Sequence, residues 1–148
     1  MNTSTPPSVR VIDHVHVHVS DRTASELWYA RVLGLTRSKE YEFWAVGDGP
    51  LTIQNSEGTV HIALFERSPT KTHSTIALGV AADEYLEWMR HLEQELNEPP
   101  KSEDHDASLS LYFTDPDGNP YEITTYEHEA VRQAIAASAA LYLPDKGF

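Results

Sequence analysis

Residues 11–19 have the sequence VIDHVHVHV, which predicts both a strand of the fold and a candidate site. From His14 to Val19 histidine and valine alternate strictly, which is typical of a half-buried β-strand. Because successive strand side chains point to opposite faces, one face carries valines that can pack under a helix, and the other carries His14, His16 and His18. Three imidazoles on one face predict a wet cleft, a metal site or both; a solvated strand face is the alternative.

Composition limits the chemistry that such a cleft could use. The chain has 148 residues, enough for one domain, or for two small halves sharing a core. It has no cysteine, which excludes disulfides, thiolate catalysis, iron–sulfur clusters and cysteine-ligated zinc. Any metal would be held by imidazole and carboxylate groups, which suit iron(II), manganese, nickel, cobalt or zinc.

Charge and hydropathy predict the partners and the compartment. The formal net charge is −12, which repels phosphate backbones, so we expect no nucleic-acid partner. The start of the sequence is polar and lacks the apolar run of a signal peptide. No apolar run approaches membrane-spanning length, so we expect no membrane partner and a cytoplasmic protein.

The first half of the chain has the pattern of a β-α-β-β-β module over residues 10–66. Capping residues at 20–23 begin a helix that Gly34 ends, with an apolar stripe that includes Ala24 and Leu27. The sequence after this helix has the composition of strands, and a strong turn signal lies at residues 47–50. Strands are predicted over residues 11–19, 39–46, 51–54 and 59–65.

The second half repeats this pattern, although not its letters, over residues 72–127, after a junction at 66–71. It contains a predicted strand, a helix and two strands joined by a turn, and a further strand must be short or hidden in the polar loop 97–107. An alanine-rich helix is expected over residues 129–141, within a C-terminal extension 128–148. The predicted elements are strand 72–80, helix 83–96, strand 108–114, turn 115–120 and strand 121–126.

Several predicted strands carry one face of chemically capable side chains. Glu122 and Thr124 share a face, Ser110 and Tyr112 share another, and His61 lies on a third. If those faces curl inward, they form a cup lined by histidine, glutamate and tyrosine. Two imidazoles and one carboxylate on neighbouring strands would suffice for a metal site with open positions, and Glu122 is the leading carboxylate.

These residues carry a resemblance to a known family. The stretches 12–17, 28–35 and 110–122 resemble the two hallmarks of the vicinal oxygen chelate superfamily, which comprises glyoxalases, fosfomycin and bleomycin resistance proteins and extradiol dioxygenases. The resemblance spans about residues 10–127. It implies an α+β fold in which two βαβββ modules form a cup-shaped mixed sheet around one site, within a single domain over residues 1–148. It also implies one divalent metal that acts as a Lewis acid on two neighbouring substrate oxygens.

The resemblance assigns metal ligands by position. His14 matches the first-strand histidine and Glu122 the last-strand glutamate. The usual middle position holds Thr75, and His73, two residues earlier on the same face, is our predicted ligand. His16 or His61 are alternatives, and the middle ligand could also be absent. Iron(II) or manganese is favoured, with nickel, cobalt or zinc as further options.

Within the superfamily, the small extradiol dioxygenase-like members look nearest. By that analogy His105 and Tyr112 hydrogen-bond substrate or oxygen, and His61 is an acid/base catalyst. Glu103 departs from the signature, which usually has a smaller or apolar residue there. The polar side chains predicted to contact substrate are His16, His18, Ser110 and Thr124.

Three functions follow. The first is ring cleavage of a catechol-type substrate chelated through two vicinal oxygens. The second is a glyoxalase-like isomerase or lyase, or an epoxide-opening transferase, although the chain shows no cluster of cations for a phosphonate. The third is a metal-free protein that binds a drug or an aromatic ligand, as bleomycin resistance proteins do. All three predict a small-molecule ligand, and the resemblance also raises the possibility of a homodimer.

Overall fold

The computed structural model describes residue 9 and residues 11–68 and 74–142, the last four of these by backbone alone. The chain divides into two compact units, residues 1–68 and 69–148. The elements of the first unit are β1 Val15–Val19, α1 Arg22–Leu33, β2 Thr36–Arg37, a 3-10 helix Glu42–Trp44, β3 Leu51–Gln54 and β4 His61–Glu66. Those of the second are β5 Ile76–Gly79, α2 Ala82–Glu95, β6 Lys101–Asp104, β7 Leu109–Thr114, β8 Pro120–Thr125 and α3 His128–Tyr142.

Each unit contains a four-stranded mixed sheet of the same topology. The strand orders are β1-β4-β3-β2 and β5-β8-β7-β6. In each sheet the first strand pairs in parallel with the last, and the other pairs are antiparallel. The fold is therefore α+β, with two βαβββ modules and a C-terminal helix, as the sequence predicts. The strand expected inside the polar loop 97–107 is β6.

Helix α1 begins and ends where its local sequence directs. Asp21 is the N-cap, and its side chain accepts a hydrogen bond from the Ala24 backbone N–H at 2.9 Å. Gly34 ends the helix in a left-handed conformation with φ of 66°, which glycine adopts without steric strain. The predicted apolar stripe is wrong in part, because Leu27 is 69% exposed. Ala24 is exposed as well, and the buried face consists of Ser25, Tyr29, Val32 and Leu33.

The valine face of β1 forms the core of the first unit. Val17 and Val19 are buried, and Val17 lies opposite Leu64 of β4, as the alternation predicts. The strand begins only at Val15, so the predicted strand over residues 11–14 is wrong. Val11 and Ile12 are 70% and 80% exposed, and lack the burial that holds the later valines in the sheet.

The predicted strand over residues 39–46 is also wrong. Strand β2 ends at Arg37, and a 3-10 helix follows at Glu42–Trp44. Aromatic residues favour strands in general, but their preference depends on what they pack against. Here Tyr41 and Trp44 stack on each other, with ring centroids 4.8 Å apart, instead of pairing in the sheet.

The core of the second unit is built on the alternate face of β7 and β8. Leu111 of β7, Ile123 of β8, Leu92 of α2 and Val131 of α3 are all fully buried. The turn between the two strands is the predicted one: Gly118 has a φ of 83°, and the buried Asp115 carboxylate accepts from two backbone N–H groups. The C-terminal helix therefore contributes to this core.

A glutamate caps the first helix of each unit. Glu66 accepts from the Arg22 backbone N–H at 2.9 Å, and Glu127 accepts from the Ala82 backbone N–H at 2.8 Å. Each carboxylate thus accepts a hydrogen bond from an N–H group that has no partner inside its helix. Each glutamate lies at or just after the end of the last strand of its unit. The two units consequently share a capping device as well as a topology.

Candidate active site

The polar face of the first sheet brings three of the predicted histidines together with β3 and β4. His16 lies opposite Ala63, and Thr52 lies opposite Ala63 on the other side, so these residues form one row across the sheet. His61 shares the face of Ala63, as its alternation predicts. His18 is half-buried on the same face, with its ring 6.4 Å from that of Phe65.

A cavity of about 160 Å³ opens on this face, and we call it the histidine pocket. It combines imidazoles with aromatic and small side chains. Among the described residues that line it there is no lysine or arginine. The lining residues are Asp13, His14, His16, Tyr41, Trp44, Pro50, Thr52, His61 and Ala63.

The best-defined geometry in the histidine pocket joins Asp13, His14 and His16. The His14 Nδ1 atom lies 2.7 Å from a carboxylate oxygen of Asp13, and its Nε2 atom lies 3.1 Å from Nε2 of His16. A carboxylate can only accept, so Nδ1 of His14 carries a proton. In the neutral ring, Nε2 of His14 is then unprotonated and can accept from an Nε2–H of His16.

Tyr41 and Trp44 form one side of the pocket, and we call this pair the aromatic wall. Their rings are stacked with an interplanar angle of 8°, and the His61 ring meets Tyr41 edge-on at 6.3 Å. The segment that follows is tied to α1, because Arg22 Nη1 donates to the Gly49 carbonyl oxygen at 2.6 Å. This bond helps to fix the position of the wall.

In the second unit, Glu122 is half-buried on the polar face of β8. One of its carboxylate oxygens accepts from the Ser110 hydroxyl at 2.6 Å, and Ser110 also lies 3.1 Å from the Thr124 hydroxyl. Ser110 and Thr124 are buried. Three of the predicted site residues are thus joined in one hydrogen-bonded chain.

Tyr112 lies directly opposite Glu122 in the β7–β8 pair. Its hydroxyl is 3.0 Å from Nε2 of His105, so the two residues that the resemblance assigns to substrate or oxygen contact each other. Glu103 lies 3.7 Å from the same His105 nitrogen. Lys101 hydrogen-bonds Glu103, which lowers the pKa of the carboxyl and raises that of the ammonium.

The predicted middle metal ligand, unlike His14 and Glu122, is not among the described residues. Thr75 is exposed, and His73 lies outside the described residues. Within the described residues no group of three or more histidine and carboxylate side chains is arranged to hold a metal ion. The donor chemistry nevertheless fits a metal in part, because Asp13 contacts Nδ1 of His14, as carboxylates do at ligand histidines, and Glu122 supplies a carboxylate.

Sequence reasoning missed several residues of the histidine pocket. Asp13 is adjacent to the first histidine and could have been found as its orienting carboxylate. The sequence pattern places Tyr41 and Trp44 in a predicted strand, although the glycine-rich turn after them indicates that the chain leaves the sheet there. Thr52 could have been placed by its alternation with Leu51 and Ile53.

No helix in the part of the chain that the structure describes is both long enough and apolar enough to cross a membrane.

Solved structures with the same fold include an integron cassette protein, a fosfomycin resistance protein and a putative glyoxalase family protein. An integron cassette protein from the mobile metagenome of Halifax Harbour sewage outfall has 20% identity and a TM-score of 0.65, covering 79% of this chain and 99% of that one. The fosfomycin resistance protein FosX of Listeria monocytogenes, in complex with Mn(II) and sulfate, has 14% identity and a TM-score of 0.61 over 86% and 99%. A putative glyoxalase family protein of Bacillus anthracis has 18% identity and a TM-score of 0.60 over 83% and 100%.

No curated protein sequence matches the chain significantly. A family model does: that of the Glyoxalase/Bleomycin resistance protein/Dioxygenase superfamily matches residues 11–123. The match covers both βαβββ modules up to Ile123 of the last strand, and it agrees with the likeness to FosX and the glyoxalase family protein. The chain belongs to the Glyoxalase/Bleomycin resistance protein/Dioxygenase superfamily.

Proposed function

We propose that the protein is a divalent-metal-dependent enzyme that cleaves a catechol-type ring by extradiol chemistry. The observation that carries the proposal is the histidine pocket, where three imidazoles and the aromatic wall line one cavity. An aromatic diol needs a stacking surface for its ring and a polar end for its two oxygens, and the pocket supplies both.

The metal would be held by His14 and Glu122, with His73 as the sequence-predicted third ligand. Iron(II) or manganese is favoured, and nickel, cobalt or zinc also accept such ligands. When bound, the metal supplies a Lewis acid for two neighbouring substrate oxygens and open positions for substrate and dioxygen. Asp13 and Ser110 orient the two ligands through the hydrogen bonds described above.

The chain's other polar residues divide into two roles. His61 lies in the histidine pocket beside Tyr41 and would move a proton to or from a substrate hydroxyl. His105 and Tyr112, already 3.0 Å apart, would hydrogen-bond substrate or oxygen as a pair. His16, His18, Ser110 and Thr124 would contact substrate.

The reaction balances without an outside reductant. Dioxygen is the co-substrate, the ring bond next to the diol breaks, and both oxygen atoms enter the product. We further propose that the enzyme works in the cytoplasm on a small molecule, and as a homodimer, an arrangement that the superfamily often adopts.

A non-redox reaction is the second candidate, favoured by the likeness to FosX. One FosX structure contains Mn(II) and 1S,2S-dihydroxypropylphosphonic acid and has a TM-score of 0.63 to this chain at 14% identity. A phosphonate carries negative charge, however, and the described lining of the histidine pocket contains no lysine or arginine. An uncharged vicinal-oxygen substrate suits the pocket better.

Oxygen consumption tests the proposal. Protein loaded with iron(II) under anaerobic conditions would be mixed with catechols, and oxygen uptake and ring-opened product would be measured together. We expect both in the wild type and neither in Glu122→Ala. Metal-loaded protein that binds catechol but consumes no oxygen would favour the non-redox candidate. Protein that takes up no metal but still binds an aromatic ligand would favour a metal-free binding protein.

A further inference from the structure

We propose that His14 and His16 bind the same divalent cation as a two-imidazole chelate, so that His16 supplies the imidazole missing at Thr75. The inference concerns the metal site of the proposed function, but it rests only on residues of the first unit. It can therefore hold even if catechols are not the substrates.

The distance between the two imidazoles fits a shared ion. Zinc–nitrogen bonds of about 2.0–2.1 Å place two neighbouring ligand nitrogens roughly 2.9–3.4 Å apart, depending on whether the angle at the metal is octahedral or tetrahedral. The Nε2 atoms of His14 and His16 are 3.1 Å apart. The ring centroids are 5.0 Å apart and the planes differ by 25°, so the two rings are stacked.

The contact between His14 and Asp13 also fits. Nδ1 of His14 lies 2.7 Å from the Asp13 carboxylate, so in the neutral ring the Nε2 lone pair is available to a metal ion. Ligand histidines in metal sites almost always donate their other ring N–H to a carboxylate or carbonyl in this way. Coordination through Nε2 of His16 requires the lone pair of that atom, so the His16 ring would then carry its proton on Nδ1.

The site is open enough for a third component. His14 is exposed, with 46% of its side-chain surface accessible, and both histidines line the histidine pocket. Because the described residues contain no three-membered cluster of histidines and carboxylates, the chelate presents two nitrogens and leaves the remaining positions to water, substrate oxygens or a further side chain. His61 lines the same pocket, but its ring is turned against Tyr41.

Metal titration tests the chelate without reference to activity. Co²⁺ would be added to the full-length protein, and binding would be followed by calorimetry and by visible absorbance, which reports the ligand set. We expect about one tight site per chain in the wild type. His16→Ala should weaken it by at least the 10–100-fold typical of losing an outer-shell partner, because a direct ligand is removed.

Three further variants make the outcome decisive. His91→Ala is the control, since it removes an imidazole from α2 that does not line the histidine pocket, and it should bind Co²⁺ as the wild type does. Asp13→Asn should weaken binding by about 10–100-fold. His73→Ala separates the two candidates for the second imidazole: if His16 provides it, this variant should lose less Co²⁺ affinity than His16→Ala does.

The results that would overturn the inference are equally specific. Wild-type affinity and an unchanged spectrum in folded His16→Ala, with loss of binding in His73→Ala, would assign the second imidazole to His73 instead. Circular dichroism establishes folding, and His16→Gln provides a second variant that keeps a polar side chain. If His14 and His16 bind the cation but the protein consumes no oxygen with catechols, the proposed function is wrong and the chelate stands.

Discussion

Replacement of Gly49 by alanine is the sharpest test of how the aromatic wall is positioned. A Cβ atom at Gly49 would lie 1.9 Å from the Trp44 carbonyl oxygen and 3.1 Å from the Val46 carbonyl oxygen. Both neighbours are backbone atoms, so no side-chain rotation can relieve the first contact. The backbone between Trp44 and Gly49 must move by about 1.5 Å or more to restore an ordinary separation.

The expected effect is a loss of stability with a local change at Trp44. Overpacking of this kind typically lowers the free energy of unfolding by about 1–3 kcal/mol. The same movement displaces the Gly49 carbonyl, which accepts from Arg22 at 2.6 Å. Urea unfolding would measure the first effect. The fluorescence of Trp44, with Trp28 and Trp88 replaced by phenylalanine, would measure the second.

Gly79→Ala is the matched control. A Cβ atom at Gly79 meets nothing within 4 Å, and this glycine has no positive φ. Alanine there should be neutral or should raise stability by about 0.4–1 kcal/mol, because it restricts the unfolded chain. If Gly49→Ala unfolded at the same urea concentration as Gly79→Ala and left the Trp44 spectrum unchanged, the account of the wall would be refuted.

Three further predictions concern stability. Glu127→Ala should lower the free energy of unfolding by about 1 kcal/mol in urea titrations, because it leaves the first N–H of α2 without its cap. Ser110→Ala should lower it by about 1–3 kcal/mol, since it removes the donor to the half-buried Glu122 carboxylate. The Arg37 hydrogen bonds lower the pKa of Glu26, so this pair should stabilise the fold above about pH 4.5 and lose that contribution as the pH falls through the lowered pKa.

Each of these predictions has a result that would contradict it. For the cap, equal stability of Glu127→Ala and the wild type would show that water replaces the carboxylate. For Ser110, the conservative Ser110→Thr should retain most of the stability that alanine loses, and equal losses would point to packing. For the ion pair, the acid limb of the stability–pH curve should become shallower in Arg37→Gln, and an unchanged limb would remove Glu26 from the account.

The features predicted correctly from the sequence depend on local chemistry. The Asp21 cap, the left-handed Gly34 and the turn at Asp115–Gly118 are each set by a side chain or a glycine acting within a few residues. The alternation of β1 from Val15 onward was equally reliable, because the valine face must be buried. Such signals predict which elements form and where they end.

The errors arose where packing partners decide the outcome. Residues 39–46 have the aromatic content of a strand, yet Tyr41 and Trp44 stack on each other outside the sheet. Helix α1 buries Ser25 in place of Leu27, because the face turned to the sheet is set by Tyr29 and Val32. Hydrophobic character alone does not show which side of a helix has a neighbour.

In the candidate site, too, the local sequence predicts some features, and side-chain contacts decide the others. Alternation predicts His14, His16 and His18 on one face of the first strand and His61 on a face of β4. The structure brings His14, His16 and His61 to one pocket, but alternation specifies a face and not a rotamer. The approach of two Nε2 atoms to 3.1 Å depends on Asp13 fixing one ring, which is a side-chain contact. Pattern analysis could therefore predict the histidine face, whereas the pairing within it required coordinates.

The two units also explain why the chain repeats a pattern but not its letters. Both preserve what the backbone needs: a parallel pair between the first and last strands, a buried alternate face, and a glutamate at the first helix terminus. Their polar faces carry no such constraint and have different side chains, imidazoles in the first unit and the Ser110–Glu122 pair in the second. Because folding constrains the buried face of each sheet and leaves its polar face free, two units of one topology can carry different functional groups on their polar faces.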